Sequence, residues 1–209
     1  MPSSSPTTQA ERAERSTRAM VDAAIDLIGE GGLRSMTFVA IGDRAGYSRG
    51  LVTARFGSKQ GLVDAVIHRV WNRLRELRAL PDTHDGSGLE SMRTLVEALA
   101  DHAKNEPGEL RALYVMMFAA IAEDDDSLAD RMRVFHSAMR DSITTAFEHG
   151  VADGSIRAGL DPSSEAVKVT AMIRGLAYQW LLEPDRIDLA DALLELSRDL
   201  DAIYSPEAP

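Results

Sequence analysis

The chain has 209 residues, 44% of them apolar and 27% charged, with a formal net charge of −10 and no cysteine. This length supports one large or two small domains with a real core, and the missing cysteines exclude a disulfide framework or a thiolate metal site. No run reaches the roughly 18 apolar residues of a membrane helix, and the polar opening MPSSSPTTQ, without a secretory apolar stretch, reads as a disordered tail over residues 1–10 of a cytosolic protein.

Residues 11–31 predict the first helix. Met20, Ala23, Ala24, Leu27 and Ile28 repeat at i, i+3, i+4, i+7 and i+8, and Gly31-Gly32 ends the run. Arg12, Arg15 and Arg18 recur every three residues. They either approach a phosphate backbone or form a solvated face with Glu11 and Glu14.

The stretch from Thr37 to Leu62 parses as a short helix, a tight turn, a second short helix and the start of a third. Phe38, Ile41 and Ala45 fall at helical spacing, and Gly46 stands where a helix end favours positive φ. Ser48 is placed to cap the next helix, which buries Val52 and Phe56, four residues apart. Gly57-Ser58 ends it, and Ser58 can cap a helix beginning at Lys59. Two helices joined by a short turn containing Gly make a helix-turn-helix, whose second helix can enter a DNA major groove. On that plan Arg49 is the candidate base reader, because a guanidinium pairs bidentately with guanine O6 and N7. Arg55 does the same or holds a phosphate, Gly50 lets the backbone come close, and Leu51 or Ala54 meets a thymine methyl. Thr37, Ser48, Thr53 and Lys59 suit phosphate contact, which fixes register without reading sequence. The bland alternative is that these charges are only solvated.

Ile41, Ala45-Gly46, Ser48, Gly50, Phe56, Ser58-Lys59 and Leu62 resemble the DNA-binding end of the tetracycline-repressor (TetR) family of bacterial one-component regulators. A second stretch is similar to the entry to that family's last two helices: Asp153-Gly154-Ser155-Ile156-Arg157, Leu160-Asp161-Pro162 and Ile173-Arg174-Gly175-Leu176-Ala177. The resemblance implies a DNA-binding head over residues 11–62 and a ligand-binding and dimerisation body over 63–209. It also implies a fourth helix whose tilt carries the signal between them. The chain departs from the family at Leu51-Val52-Thr53, where most members carry Thr-Leu-Tyr, and at Arg55, which replaces the usual aromatic residue before the Phe. The family's aromatic phosphate contact therefore does not transfer.

Past the head, Leu62, Val63, Val66, Ile67, Val70, Trp71, Leu74 and Leu77 stripe a helix over about 59–78, and PDTHDGSG at 81–88 reads as a loop. Helices follow over 89–104 and 109–122, the latter apolar nearly all round and so expected to be buried. Glu123 to Asp126 forms an acidic corner, read as a solvated cap and not a calcium loop, because the spaced oxygens and central Gly are missing. Helices over 127–151, 163–182 and 187–203 complete an all-α fold of nine helices. Residues 1–70 hold nine Lys/Arg against seven Asp/Glu, a balance of +2, and residues 71–209 hold fourteen against twenty-six, a balance of −12. An acidic body behind a mildly basic head suits a protein that meets phosphate at one end.

Two further sites are expected in the body. Met116, Met117, Phe118, Met132, Phe135, Met139, Met172, Tyr178 and Trp180 supply soft and aromatic surface for a small-molecule pocket, with His102, His136 and Arg174 as its polar groups. The plain alternative, residue by residue, is core. Val169, Ile173, Leu176 and Trp180, with the seam Leu189, Leu193, Leu196 and Leu200, are expected to form a two-fold, four-helix dimer interface, unless both helices pack only within one subunit. The five His residues make no H-E-x-x-H pair, and no G-x-S-x-G elbow, Walker loop or G-x-G-x-x-G occurs. No catalytic residue, metal or cofactor is expected. The reading is a homodimeric repressor on a palindromic double-stranded DNA operator, released by a small, largely apolar or aromatic effector. The rivals are a helical binding module that has lost DNA binding and, more distantly, an all-helical enzyme.

Overall fold

The computed structural model describes residues 8–76, 86–122 and 126–206. Among these the chain folds as nine helices without a strand: α1 (Gln9–Gly31), α2 (Phe38–Ala45), α3 (Arg49–Phe56), α4 (Lys59–Glu76), α5 (Gly88–Asn105), α6 (Pro107–Ala122), α7 (Asp126–Asp153), α8 (Pro162–Leu182) and α9 (Leu189–Tyr204). Residues 1–7 of the expected tail, 77–85 of the fourth helix and its loop, and 123–125 of the acidic corner lie outside the described residues. The first helix starts inside the expected tail. Thr8 and Glu11 form a capping box, with Thr8 Oγ1 accepting from Glu11 N at 3.2 Å and Glu11 Oε2 accepting from Thr8 N at 2.7 Å.

In the head, α1 is the backing plate. Met20, Ala24 and Ile28 on α1, Met36 before α2, Ile41 on α2, Val52 on α3 and Leu62 and Val66 on α4 are all fully buried in one cluster. Arg44 on α2 grips Glu30 on α1 with two parallel bonds of 2.7 and 2.8 Å, which locks α2 against the plate. That hydrogen bond holds the Glu30 carboxyl below its usual range.

In the body α5 is the central post, with α9 packed along one side and α7 along another. The Asp153-to-Arg157 stretch ties three helix ends together. Asp153 Oδ2 accepts from Gly88 N at 2.8 Å and Ser155 Oγ from Leu89 N at 3.2 Å, capping α5. Arg157 donates its backbone N–H to Tyr204 O and its Nη1 to Ile203 O, at 2.9 and 2.6 Å, closing the end of α9. Ile156 is buried against Gly150 of α7, where a Cβ would collide with its side chain. Gly88 lies against the same turn of α7, where a Cβ would fall on the Gly150 backbone. At Gly88, where the obstacle is backbone, no side chain larger than hydrogen fits.

The expected dimer seam needs correction. Val169, Ile173, Leu189, Leu193, Leu196 and Leu200 are all buried inside the single chain, because α9 lays its seam on α5 and the same face of α8 covers the core. Leu176 and Trp180 are partly buried against the same core. The large apolar side chains that remain outward on α8 and α9 are Val167, Tyr178, Leu182 and Leu194.

Candidate nucleic-acid interface and the body behind it

The recognition helix owes its geometry to two caps and two glycines. Gly46 ends α2 at φ +75°, the left-handed region in which glycine is at ease. Ser48 then caps α3, its Oγ accepting from Leu51 N at 3.2 Å. The turn is so tight that a Cβ on Gly42 would come within 2.6 Å of Tyr47 O, a constraint that helical periodicity does not signal. Thr37 caps α2 in the same way, accepting from Ala40 N at 3.1 Å, and Ser58 Oγ accepts from Gly61 N at 3.1 Å at the start of α4.

Only Val52 of the eight α3 residues is buried, and Phe56 is partly so. Arg49, Gly50, Leu51, Thr53, Ala54 and Arg55 all face solvent, and so do Thr37, Ser48 and Lys59. Every predicted DNA-contacting residue is therefore exposed. Their engagements differ. Arg55 leans back onto α1, with Nη2 3.3 Å from Ser16 Oγ, and Thr53 Oγ1 donates to Arg49 O in its own helix at 3.0 Å. The Arg49 side chain makes no hydrogen bond or ion pair among the described residues. It stands at the first position of the helix as an uncommitted guanidinium.

Behind the head, an ion network crosses to the body. Arg69 of α4 donates Nη2 to Asp22 of α1 at 2.5 Å and Nε to Glu109 of α6 at 2.9 Å. The second oxygen of Glu109 lies 3.0 Å from His102 Nε2 of α5. Burial pushes the Glu109 carboxyl up, but the hydrogen bonds from His102 and Arg69 and their charges outweigh it and leave its pKa lowered. Arg111 adds a bond from Nε to Gly29 O at 3.0 Å, again joining α6 to α1. No local pattern marks Glu109 as buried, since its partner Arg69 lies forty residues away.

The expected pocket residues divide. Met116, Met117, Met132, Phe135 and Met139 are core, and His102 is occupied by Glu109. Phe135 packs edge-on against Trp71, with ring centres 5.2 Å apart. Phe118 and Tyr178 are exposed and touch each other edge to face at 5.6 Å, and Met172 is partly buried. His136 and Arg174 are partly buried where α7 meets α8. One cavity of about 850 Å³ lies between the end of α5 and the α8–α9 connection and takes in Trp180. Another of about 630 Å³ lies between α4 and α7 and takes in Ile67, Trp71, Val134 and Phe135. The nominated side chains do not line one common cavity there.

Two family models match this sequence in tandem. Residues 20–66 match "Bacterial regulatory proteins, tetR family", and residues 88–204 match "BetI-type transcriptional repressor, C-terminal". The chain belongs to the TetR family. Its body matches the BetI-type model within this family. BetI of Klebsiella pneumoniae (strain 342) is 31% identical over 100 residues, which span 46% of this chain and 50% of that regulator. TtgR of Pseudomonas putida is 26% identical over 185 residues, 86% of each chain. The TetR fold is shared with a transcriptional regulator from Rhodococcus sp., at TM-score 0.73 and 24% identity over 92% of this chain and 100% of that one. It is shared too with SmeT of Stenotrophomonas maltophilia in its triclosan complex, at TM-score 0.76 and 23% identity over 92% of each. Among the described residues no helix is long and apolar enough to cross a membrane.

Proposed function

We propose that this TetR-family regulator is a homodimeric repressor that binds a palindromic operator through α3 and is released by a small molecule held in the helical body. The observation that carries the DNA reading is the exposed α3 face with the Arg49 side chain uncommitted at its start, on a head whose α2 is tied to α1 by the Arg44–Glu30 fork. Arg49 reads a base, while the capped helix starts at Thr37, Ser48 and Ser58, with Lys59, hold the backbone. Regulation by a small molecule is supported by likeness to SmeT, whose solved complex contains triclosan. Linkage sets the condition: an effector shifts the protein only if it binds the non-operator conformation more tightly.

For the dimer, the outward face of α8 is the better candidate once the inner seam is assigned to the core. Val167, Ala171, Gly175, Tyr178 and Leu182 fall along one side of the helix, and all five are exposed. A Cβ on Gly175 would meet nothing within 4 Å, so a second helix can come close there. Leu194 extends the apolar surface onto α9. A two-fold axis through this face would set two recognition helices about 34–36 Å apart, or a multiple of that.

The test is binding of the purified protein to DNA from its own upstream region, followed by fluorescence anisotropy against salt. Operator binding that exceeds random DNA and falls with salt, with a stoichiometry of two chains per site, is the expected result. Selection from a random DNA library that enriches no sequence would overturn the reading and leave a binding module that no longer uses its head.

A further inference from the structure

Charge without a counter-ion collects at one place in the body, where α6, α7 and α8 meet. The Arg174 guanidinium lies 5.2 Å from the centre of the Tyr114 ring. Its Nη2 donates to Met139 Sδ at 3.2 Å, and its Nε is buried without a hydrogen-bond partner. Arg44, Arg69, Arg93 and Arg131 each sit on a carboxylate. Arg174 and Arg140 have none among the described residues. The charges of Arg174 and Arg140 both act on His136. Burial, then Arg174 and Arg140, pull its pKa down to about 4, so the imidazole is neutral at pH 7.

This grouping runs against the local composition, since residues 71–209 carry twenty-six Asp/Glu against fourteen Lys/Arg. Acids are abundant, yet among the described residues none pairs with this cluster. A π face and a thioether are soft neighbours that replace little of the water a guanidinium gives up on burial, so the grouping costs stability. Such a cost is typical of a binding site whose partner supplies the missing charge.

We infer that Arg174, with Arg140 and His136, is the seat for the carboxylate of an aromatic acid. A guanidinium fork donates two parallel bonds to a carboxylate, and a neutral imidazole can donate one more N–H. Tyr114 under Arg174, Met139 beside it and the Phe118–Tyr178 pair one turn further along the same two helices supply surface for the ring. The inference rests on the reading that the body holds the effector, and it names the effector's charge and class.

The experiment uses the full-length protein and two matched pairs of probes, benzoate with benzamide and 2-naphthoate with 2-naphthamide, titrated by calorimetry. At least one carboxylate is expected to bind tenfold or more tightly than its amide. Arg174→Met should remove that preference, lowering the carboxylate's affinity far more than the amide's. Because it deletes an unpaired charge, the same variant should melt no lower than the parent without ligand, which separates lost binding from lost fold. Equal binding of acid and amide in both pairs, absence of binding included, overturns the inference, as does a preference that survives both Arg174→Met and Arg140→Gln. Operator binding measured in the same samples keeps the two readings apart. An Arg174-dependent preference with operator binding unchanged sustains the carboxylate seat and overturns its role in release.

Discussion

Replacing Arg69 by Met removes a side chain that ties α4 to both α1 and α6. Glu109 would keep His102 at 3.0 Å but lose the 2.9 Å bond from Arg69, leaving a carboxylate only 7% exposed with half its partners. Breaking a fully buried pair costs about 3–5 kcal/mol. Here the guanidinium is 33% exposed and Asp22 is 49% exposed, so solvent moderates the loss. The expected destabilisation is about 2–3 kcal/mol, nearly all of it from Glu109. Urea unfolding at fixed protein concentration measures it. Adding Glu109→Gln to the Met variant takes away the stranded charge and should recover about half of the loss. The pH dependence has a definite sign. Because the Glu109 pKa is lowered from 4.5, its stabilisation is present above that value and disappears as pH falls through the lower, folded value. The gap between parent and Arg69→Met should therefore narrow on acidification below about pH 4.5. A loss under about 0.5 kcal/mol, or a double variant no more stable than Arg69→Met, would refute the idea that Glu109 depends on this guanidinium.

Three further outcomes are expected. Arg49→Ala should weaken operator binding by about 1–3 kcal/mol in anisotropy titrations and relax preference at one base pair; an equal loss on random DNA would make Arg49 a phosphate contact. Gly42→Ala places a Cβ 2.6 Å from Tyr47 O, backbone that cannot swing aside, so α3 should shift and operator binding fall at least tenfold with the body's unfolding little changed. Leu182→Glu should yield monomers in light scattering while the chain stays folded, whereas Leu193→Ala, 1% exposed on the inner face of α9, should cost about 2–5 kcal/mol of stability and leave the fold's outer faces as they are. Dimers that persist in Leu182→Glu would show that the outward face of α8 is not the interface.

Much of this was legible from local chemistry. The caps at Ser48 and Ser58 and the left-handed Gly46 are short-range signals, and the structure places each where its spacing predicts. The Leu189-to-Leu200 seam shows the limit of periodicity. A 4-3-4-3 pattern states that a helix has an apolar face, but the same pattern serves a partner chain or the helix's own neighbour, and here α5 takes it. Glu109 escaped notice because it lies in a segment otherwise apolar nearly all round, and its acceptance in the core depends on Arg69 and His102, both outside that segment. Gly42 and Gly88 are similar, because what demands a glycine is backbone brought close by folding. The Asp153-to-Arg157 motif was visible as a pattern, but its purpose needed the ends of α5 and α9 in view.

That knot of three helix ends gives the body a mechanical asymmetry. Where α5 starts and α7 and α9 finish, backbone bonds to Asp153, Ser155, Tyr204 and Ile203 and the glycine contacts of Gly88 and Gly150 leave no slack. The opposite end, where α5 gives way to α6, is held to the head mainly by side chains, Arg69 and Arg111 among them. A bundle clamped at one end and laced at the other deforms like a reed. On that picture displacement would grow along its length and be greatest where it meets α1 and α4. Amide hydrogen exchange should follow the same gradient, slowest at Leu89, Ile156 and Arg157 and faster toward the turn between α5 and α6.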